Sequence, residues 1–222
     1  MAPTRSFEPD DSGRSPIPCP IRILIADDHP SVREGIRTMI ERQERMQVVA
    51  EAGNGEEALA QFREHQPDLV LMDLQMPKVD GLHAIAAIHA ERPDARIVVL
   101  TSYAGDARVS RALAAGAISY VLKTADRTQI FGAIYGSLKG KTVLHDTVAS
   151  ELVANRGRES LSSREISVLR LVAEGKDNGD IGRALSVSVH AVKARLKVIL
   201  AKLNANNRTH AASIATLRGF ID

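Results

Sequence analysis

The chain has 222 residues, of which 44% are hydrophobic and 25% charged, so it holds enough apolar material for one or two folded domains. Its apolar runs are far shorter than the roughly 20 residues that cross a bilayer, and its single cysteine excludes an internal disulfide. We therefore expect a soluble, cytoplasmic protein without a membrane partner. The net charge of +2 is unevenly divided, since residues 21–140 carry −2 and residues 160–222 carry +5. Such asymmetry is a hint of nucleic-acid binding.

The first twenty residues are rich in proline, serine and charge, so residues 1–20 predict a disordered tail. From Ile21 onward, short apolar runs alternate with segments of helical spacing; the runs are IRILIA, QVVAEA, DLVLMD, RIVVLT and ISYVLK. This alternation predicts an α/β domain over residues 21–140, a doubly wound (βα)5 parallel sheet. Functional residues of such a sheet lie at the carboxyl ends of its strands.

The carboxyl-terminal part of the chain changes character. Residues 141–159 contain a short amphipathic stretch and a charged, glycine-containing segment, and they predict a linker. Residues 160–222 have helical spacing and predict a small all-α domain of four helices, with a capping box at Ser162–Glu165 and a cap for the third helix at Ser188. The second and third helices are joined by a tight turn and the third is basic, which is the helix-turn-helix pattern.

Polar residues stand where four of the predicted strands end. They are Asp27 and Asp28 after the first strand, Asp73 after the third, Thr101 at the fourth and Lys123 at the fifth. Each alone fits a helix cap, a turn or a surface charge, but parallel strands bring their carboxyl ends to one edge of the sheet. Clustered carboxylates repel one another unless protons or a divalent cation lie between them, and all-oxygen ligands favour Mg²⁺.

These residues resemble the receiver domains of two-component response regulators. The resemblance covers about residues 21–140 and rests on the Asp27-Asp28 pair, the run DLQMPKVDG that begins at Asp73, Thr101 and Lys123. It implies that Asp73 is the phosphoacceptor, a carboxylate nucleophile that forms an aspartyl phosphate.

The resemblance also implies a role for the neighbouring residues. Mg²⁺ would be held by Asp27, Asp28, Asp73 and the backbone carbonyl of Gln75. Lys123 would neutralise charge on the transferring phosphoryl group, and the Thr101 hydroxyl would hydrogen-bond to it afterwards. Tyr120 matches the aromatic position that turns inward on activation in this family, and an ordinary half-buried strand aromatic is the alternative.

Two enzymatic interpretations compete with this one. The segment Gly53–Ala58 matches a dinucleotide-binding fingerprint, but the nearby acidic residues Glu51, Glu56 and Glu57 disfavour a pyrophosphate. An aspartyl-phosphate hydrolase usually has a general acid two residues after its nucleophile, where this chain has Gln75. Glutamine does not donate and recover a proton at neutral pH, so we expect a persistent phosphorylated state and a protein that is not an enzyme.

Residues 160–222 resemble the LuxR-type helix-turn-helix of the NarL/FixJ response regulators. The matching residues are LSSRE from Leu161, Val168-Leu169, AEG from Ala173, Ile181 and Val192-Lys193. The resemblance implies that the third helix enters the major groove and that the domain dimerises partly through its fourth helix. On the third helix, Lys193 and Lys197 are candidate phosphate contacts, Arg195 is the candidate base reader and His190 lies near the start.

Five departures from the LuxR-type pattern concern DNA sequence preference or the end of the third helix. They are Val189, Ala191, the small Ala194 where a polar residue is common, Arg195 where histidine is frequent, and Asn204 where glycine commonly ends the helix. Asparagine tolerates the left-handed conformation of such a cap, so we expect the fold to be retained.

Together these features predict a DNA-binding transcriptional response regulator of a two-component system. A sensor histidine kinase would phosphorylate Asp73, and the carboxyl-terminal domain would bind double-stranded promoter DNA as a homodimer. Two alternatives stay open. One is a phosphorylation-independent regulator that retains the acidic pocket, and the other is a signalling adaptor whose helical domain binds protein.

Overall fold

The computed structural model describes residues 6–8, 17–102, 105–154 and 161–221. Within the predicted tail, strand β1 (Ser6–Glu8) pairs antiparallel with strand β2 (Ile17–Cys19). These six residues depart from the predicted disorder, because short strands pair through backbone hydrogen bonds that an argument from composition does not consider. The remainder of residues 1–16 lies outside the described residues.

A five-stranded parallel sheet forms the centre of the first part of the chain. Its strands are β3 (Ile21–Ala26), β4 (Met46–Ala52), β5 (Leu69–Met72), β6 (Ile97–Thr101) and β7 (Ser119–Leu122). They lie in the order β4-β3-β5-β6-β7, and all neighbouring pairs are parallel. The predicted doubly wound sheet is confirmed. The chain adds β4 on one side of β3 and then β5 on the other side. At this switch in strand order, the carboxyl ends of β3 and β5 form a crevice.

Five helices follow the strands of this sheet. They are α1 (Pro30–Glu41), α2 (Gly55–His65), α3 (Gly81–Glu91), α4 (Asp106–Ala115) and α5 (Arg127–Leu138). The side chains of Asn54, Asp80 and Asp126 cap the amino-terminal ends of α2, α3 and α5 by accepting backbone hydrogen bonds. β5, β6 and β7 are buried along their whole length, as expected for a parallel sheet covered on both faces.

The chain after α5 returns to the free edge of β7. The Tyr120 N–H donates to the Val143 carbonyl at 3.0 Å, and the His145 N–H donates to the Tyr120 carbonyl at 3.0 Å. Helix α6 (Asp146–Ala154) follows directly. The predicted linker over residues 141–159 therefore contains regular structure, because an unpaired strand edge offers backbone partners to a chain segment that passes beside it. Residues 155–160 lie outside the described part of the chain.

Four helices make up the carboxyl-terminal part, as predicted. They are α7 (Ser163–Ala173), α8 (Asn178–Ala184), α9 (Val189–Leu203) and α10 (Arg208–Leu217). Ser162 and Glu165 form the predicted capping box of α7. Asn204 ends α9 with φ 51° and ψ 44°, the left-handed conformation expected for this cap. Buried residues from all four helices, among them Leu169, Ile181, Ile199 and Ala211, form one core.

The chain divides into two compact units. The first is Met1–Tyr103 with Ser110–Ala149, and the second is Ala104–Val109 with Ser150–Asp222. The segment before residue 110 belongs to the second unit because Arg218 donates two hydrogen bonds to the Asp106 carboxylate, at 3.0 and 2.8 Å. The predicted boundaries, residues 21–140 and 160–222, did not anticipate this exchange, since a contact over 112 positions leaves no local signal. Across the described ranges, no helix is long and apolar enough to span a membrane.

Candidate functional site

A single lysine ammonium lies between two carboxylates at the carboxyl edge of the sheet. Lys123 follows β7, and its Nζ is 2.6 Å from Asp27 Oδ2 and 2.7 Å from Asp73 Oδ2. Asp27 follows β3 and Asp73 follows β5, and the two residues are only 2% and 4% exposed. The structure therefore brings together three of the predicted site residues in a nearly buried ion cluster.

Asp28 and His29 complete the acidic cluster on its solvent side. His29 Nδ1 lies 2.7 Å from Asp28 Oδ1 and 3.3 Å from Asp27 Oδ1, and its side chain is 63% exposed. Ligand atoms of Asp27, Asp28, His29 and Asp73 all lie within 4.8 Å of one another. His29 was not among the predicted site residues, although its place directly after the aspartate pair in the sequence indicates it. Three carboxylates and an imidazole at this spacing have the geometry to hold a cation.

The loop after Asp73 is shaped around that residue. The Gln75 N–H donates to Asp73 Oδ1 at 3.3 Å, so the structure places the Gln75 backbone beside the predicted phosphoacceptor. The Gly81 N–H donates to the Leu74 carbonyl at 3.0 Å. A Cβ at Gly81 would lie 1.9 Å from the Asp73 carbonyl oxygen, a distance that no side chain tolerates. The glycine that closes the DLQMPKVDG run is thus required by the close approach of two backbone segments.

Burial and charge act in opposite directions on this cluster. Burial raises the pKa of Asp73, and the hydrogen bond and charge of Lys123 oppose that rise only in part. Burial by itself lowers the pKa of Lys123, but its hydrogen bonds to Asp27 and Asp73 outweigh burial and raise it. The cationic form of Lys123 is therefore favoured, while the charge of an ionised Asp73 carboxylate is incompletely compensated. An additional positive charge nearby would stabilise the ionised form of Asp73.

Thr101 and Tyr120 are both buried. Thr101 is 1% exposed, and its Oγ1 has no hydrogen-bond partner among the residues that the structure describes. A buried hydroxyl without a partner costs about 1–3 kcal/mol, so the Thr101 hydroxyl would be stabilised by a partner; its predicted bond to a phosphoryl group stays a prediction. Tyr120 is fully buried, and its role as a switch aromatic stays a prediction.

The residues of this cluster fit a Mg²⁺ ion. Asp27, Asp28 and Asp73 offer carboxylate oxygens at mutual distances that one ion can span. Oxygen ligands are those that Mg²⁺ prefers, and a divalent ion would compensate the charge that Lys123 leaves unbalanced.

The third helix of the second unit presents a basic face. Lys193, Lys197 and His190 are exposed on α9 at spacings of three and four residues, which places them on one side of the helix. The Ser188 hydroxyl accepts the Ala191 N–H at 3.1 Å and fixes the start of the helix. Arg195 is half-buried and lies away from that face, on the other flank of the buried residues Val192, Leu196 and Ile199. The structure thus groups three of the four predicted DNA-binding residues.

A doubly wound sheet with an acidic cluster and a lysine at its carboxyl edge, joined to a helix-turn-helix domain, defines a class of regulatory DNA-binding proteins. The family described as "Response regulator receiver domain" matches residues 23–135. The family described as "Bacterial regulatory proteins, luxR family" matches residues 159–215.

Similar proteins and structures agree with these matches. The transcriptional regulatory protein LiaR of Bacillus subtilis is 39% identical over 203 residues, which cover 88% of this chain and 96% of LiaR. The response regulator protein VraR of Staphylococcus aureus is 37% identical over the same shares. RcsB of Salmonella enterica serovar Typhimurium, solved bound to a promoter with a phosphomimetic, is 29% identical with a TM-score of 0.70, covering 89% of this chain and 98% of that one. The chain therefore belongs to the NarL/FixJ family of two-component response regulators, with a receiver domain and a LuxR-type DNA-binding domain.

Proposed function

We propose that Asp73 accepts a phosphoryl group from a sensor histidine kinase and that this phosphorylation controls binding to promoter DNA. The observation that carries the proposal is the buried Asp73 carboxylate, held 2.7 Å from the Lys123 ammonium. The Thr101 hydroxyl, buried without a partner in the described chain, supplies an unused hydrogen-bond donor. A nucleophile, a cation and a free donor are the groups that phosphoryl transfer needs.

Each residue of the cluster has a separate role in the phosphoryl transfer. An Asp73 carboxylate oxygen attacks phosphorus and forms an acyl phosphate, while the bond between phosphorus and the kinase's histidine nitrogen breaks and its electron pair returns to the imidazole. Lys123 holds its positive charge where the phosphoryl oxygens arrive. The phosphoryl group brings close to two negative charges, and the Thr101 hydroxyl donates a hydrogen bond to it. Movement of Thr101 and the inward packing of Tyr120 would transmit the effect of phosphorylation away from Asp73.

Mg²⁺ is the cofactor that we assign to the cluster. Asp27, Asp28, Asp73 and the Gln75 backbone carbonyl would hold it, and when bound it neutralises charge on the transferring group. Gln75 is exposed and cannot act as a general acid, so the position two residues after Asp73 supplies no proton for turnover of the acyl phosphate. We therefore infer a regulator rather than an enzyme.

The second unit supplies the output. We propose that α9 enters the major groove of double-stranded DNA, with Lys193 and Lys197 at phosphates and His190 near the backbone. Arg195, the predicted base reader, lies on the other flank of α9, so we assign it no contact in this arrangement. Structures of the relative RcsB show dimers bound to DNA, and we extend that arrangement to a homodimer of this chain. Since its partner is genomic DNA, we place its action in the bacterial cytoplasm.

Phosphorylation with acetyl phosphate tests the proposal without requiring the kinase. The parent protein, Asp73→Asn and Asp80→Asn are each incubated with acetyl phosphate and Mg²⁺ and measured by intact-mass spectrometry. Asp80 caps α3 in the same loop and asparagine preserves that cap, which makes Asp80→Asn a matched control. We expect one phosphoryl group on the parent and on Asp80→Asn and none on Asp73→Asn.

A DNA-binding measurement decides whether phosphorylation matters. Selection of bound sequences from random DNA, with and without acetyl phosphate, gives the site and the change in affinity. Stoichiometric labelling of Asp73→Asn would overturn the phosphoacceptor assignment. Equal affinity for the selected site in both states would identify a phosphorylation-independent regulator instead.

A further inference from the structure

Arg33 connects helix α1 to strand β4 and to Asp27, the residue that follows β3, beside the acidic cluster. Its terminal Nη1 donates to the Asp27 backbone carbonyl at 2.6 Å, and its Nε donates to Glu51 Oε2 in β4 at 3.1 Å. The side chains of Arg33 and Glu51 are 20% and 21% exposed, so both bonds are largely shielded from solvent. A charged donor that reaches a backbone carbonyl in such surroundings makes a stronger hydrogen bond than a neutral one.

The bond from Arg33 completes the restraint of Asp27. The Asp27 N–H donates to the Ala52 carbonyl at 3.0 Å, so both polar groups of this peptide residue are held, one by β4 and one by α1. With its backbone fixed, the Asp27 carboxylate accepts the His29 N–H at 2.9 Å and approaches Lys123 Nζ at 2.6 Å. The direction of the carboxylate therefore depends on a backbone position that Arg33 helps to set.

Arg37 provides an internal comparison one helical turn later. Its Nε donates to Glu51 Oε1 at 2.6 Å, so Arg33 and Arg37 share the same carboxylate. Arg37 is more exposed, at 42%, and in the described chain its hydrogen bonds go to Glu51 and not to Asp27. The two arginines thus match in charge, helix and acidic partner and differ in the contact with the acidic cluster.

We propose that Arg33 is a positioning residue that sets the affinity of the acidic cluster for Mg²⁺ by clamping the Asp27 carbonyl. The inference rests on the proposed function, in which Asp27 is a ligand of that ion. Groups that orient a ligand without touching the metal contribute about 10- to 100-fold to metal affinity. Arg33 acts through the backbone of the ligand rather than through its carboxylate.

The test compares Arg33→Gln with Arg37→Gln in the full-length chain. Each variant removes one positive charge and one partner of Glu51, and only Arg33→Gln removes the bond to Asp27. Calorimetric titration with MgCl₂ measures binding of the ion directly, without any reaction. We expect Arg33→Gln to weaken Mg²⁺ binding about tenfold and Arg37→Gln to change it less than about twofold.

A second readout separates positioning from general loss of structure. The initial rate of phosphorylation by acetyl phosphate is measured over a range of Mg²⁺ concentrations, and thermal unfolding is followed by circular dichroism. Arg33→Gln should need about tenfold more Mg²⁺ for half-maximal rate, with a maximal rate within about twofold of the parent. If Arg33→Gln does not fold, Arg33→Lys replaces it. A lysine lacks the fork that serves two acceptors, so a loss of Mg²⁺ affinity of at least about threefold is expected, roughly half of the tenfold loss on a logarithmic scale.

The outcomes distinguish this inference from the proposed function. If the parent binds no Mg²⁺ or takes no phosphoryl group from acetyl phosphate, the proposed function fails. If the parent does both and the two glutamine variants bind Mg²⁺ equally, the positioning role of Arg33 is wrong. A loss of phosphorylation seen only with a kinase as donor would also overturn it, because that result places Arg33 in a docking surface.

Discussion

The Lys123 ammonium lies 2.7 Å from Asp73 and 2.6 Å from Asp27, so one cation serves two buried carboxylates. An ammonium between two acids leaves one negative charge in excess before Asp28 is counted. This imbalance explains why burial prevails over Lys123 and raises the pKa of Asp73. It also gives the site two properties that can be measured separately, a dependence on the lysine charge and a dependence of stability on pH.

Replacement of Lys123 by alanine should slow phosphorylation of the receiver by about a hundredfold, the typical loss on removal of one donor from a developing negative charge. The measurement is the initial rate with acetyl phosphate at saturating Mg²⁺. Lys141→Ala, an exposed lysine of the same unit, is the control and should keep the parental rate. A rate for Lys123→Ala within twofold of the control would remove Lys123 from the transfer.

The raised pKa of Asp73 predicts a pH-dependent cost to folding. Below the ordinary pKa of aspartate, about 3.9, the carboxyl is protonated in both the folded and the unfolded chain. Between that value and the raised pKa, the folded state binds more protons, so the free energy of unfolding falls as pH rises through this window. Asp73→Asn lacks this titration and should gain stability over the parent with increasing pH.

Urea unfolding in EDTA, at pH values from about 4 to 7, measures that difference. Asp94→Asn, at an exposed aspartate of the same unit, is the control and should track the parent in every buffer. A difference between Asp73→Asn and the parent that is constant with pH would contradict the assignment of the titration to Asp73.

Thr101→Val should stabilise the unphosphorylated protein and impair the phosphorylated one. Valine keeps the shape of threonine and removes a buried hydroxyl that has no partner in the described structure, which should raise the free energy of unfolding by about 1 kcal/mol. The same variant cannot bond to a phosphoryl group, so the gain in DNA affinity caused by beryllofluoride should be largely lost. Ser102→Ala, the exposed neighbour, controls for both effects. A resting protein that is less stable with valine would show that the hydroxyl has a partner.

The acidic cluster was predictable because strand ends can be located in the sequence. Asp27, Asp73 and Lys123 each follow an apolar run, and parallel pairing of those runs brings them to one edge. The clamp by Arg33 was not predictable, since the bond to Glu51 joins a helix and a strand 18 positions apart and depends on side-chain reach. Periodicity identifies the buried face of α1 but not the partner of a charged residue on its flank.

Backbone pairing and helix phase account for the other differences. Residues 143–145 pair with the edge of β7 through backbone groups, which have no side-chain signature. The position of Arg195, in contrast, could have been derived from the sequence. Val192, Leu196 and Ile199 define the buried face of α9. Arg195 is two residues from both Lys193 and Lys197, so the 3.6-residue period places it about 160° around the helix from them, on the other flank of the buried face.

The exposed position of Lys193 on α9 predicts a contribution to DNA affinity that does not depend on sequence. A lysine that neutralises one phosphate releases about one condensed counterion, so Lys193→Ala should reduce the slope of log affinity against log salt by about one. Affinity should fall on specific and random DNA alike, because a phosphate contact carries no sequence information. Fluorescence anisotropy at several salt concentrations measures both quantities. Arg170→Ala removes an exposed charge from α7 in the same unit and should leave the slope unchanged. A parental slope for Lys193→Ala, or a loss confined to one DNA sequence, would show that Lys193 does not contact a phosphate.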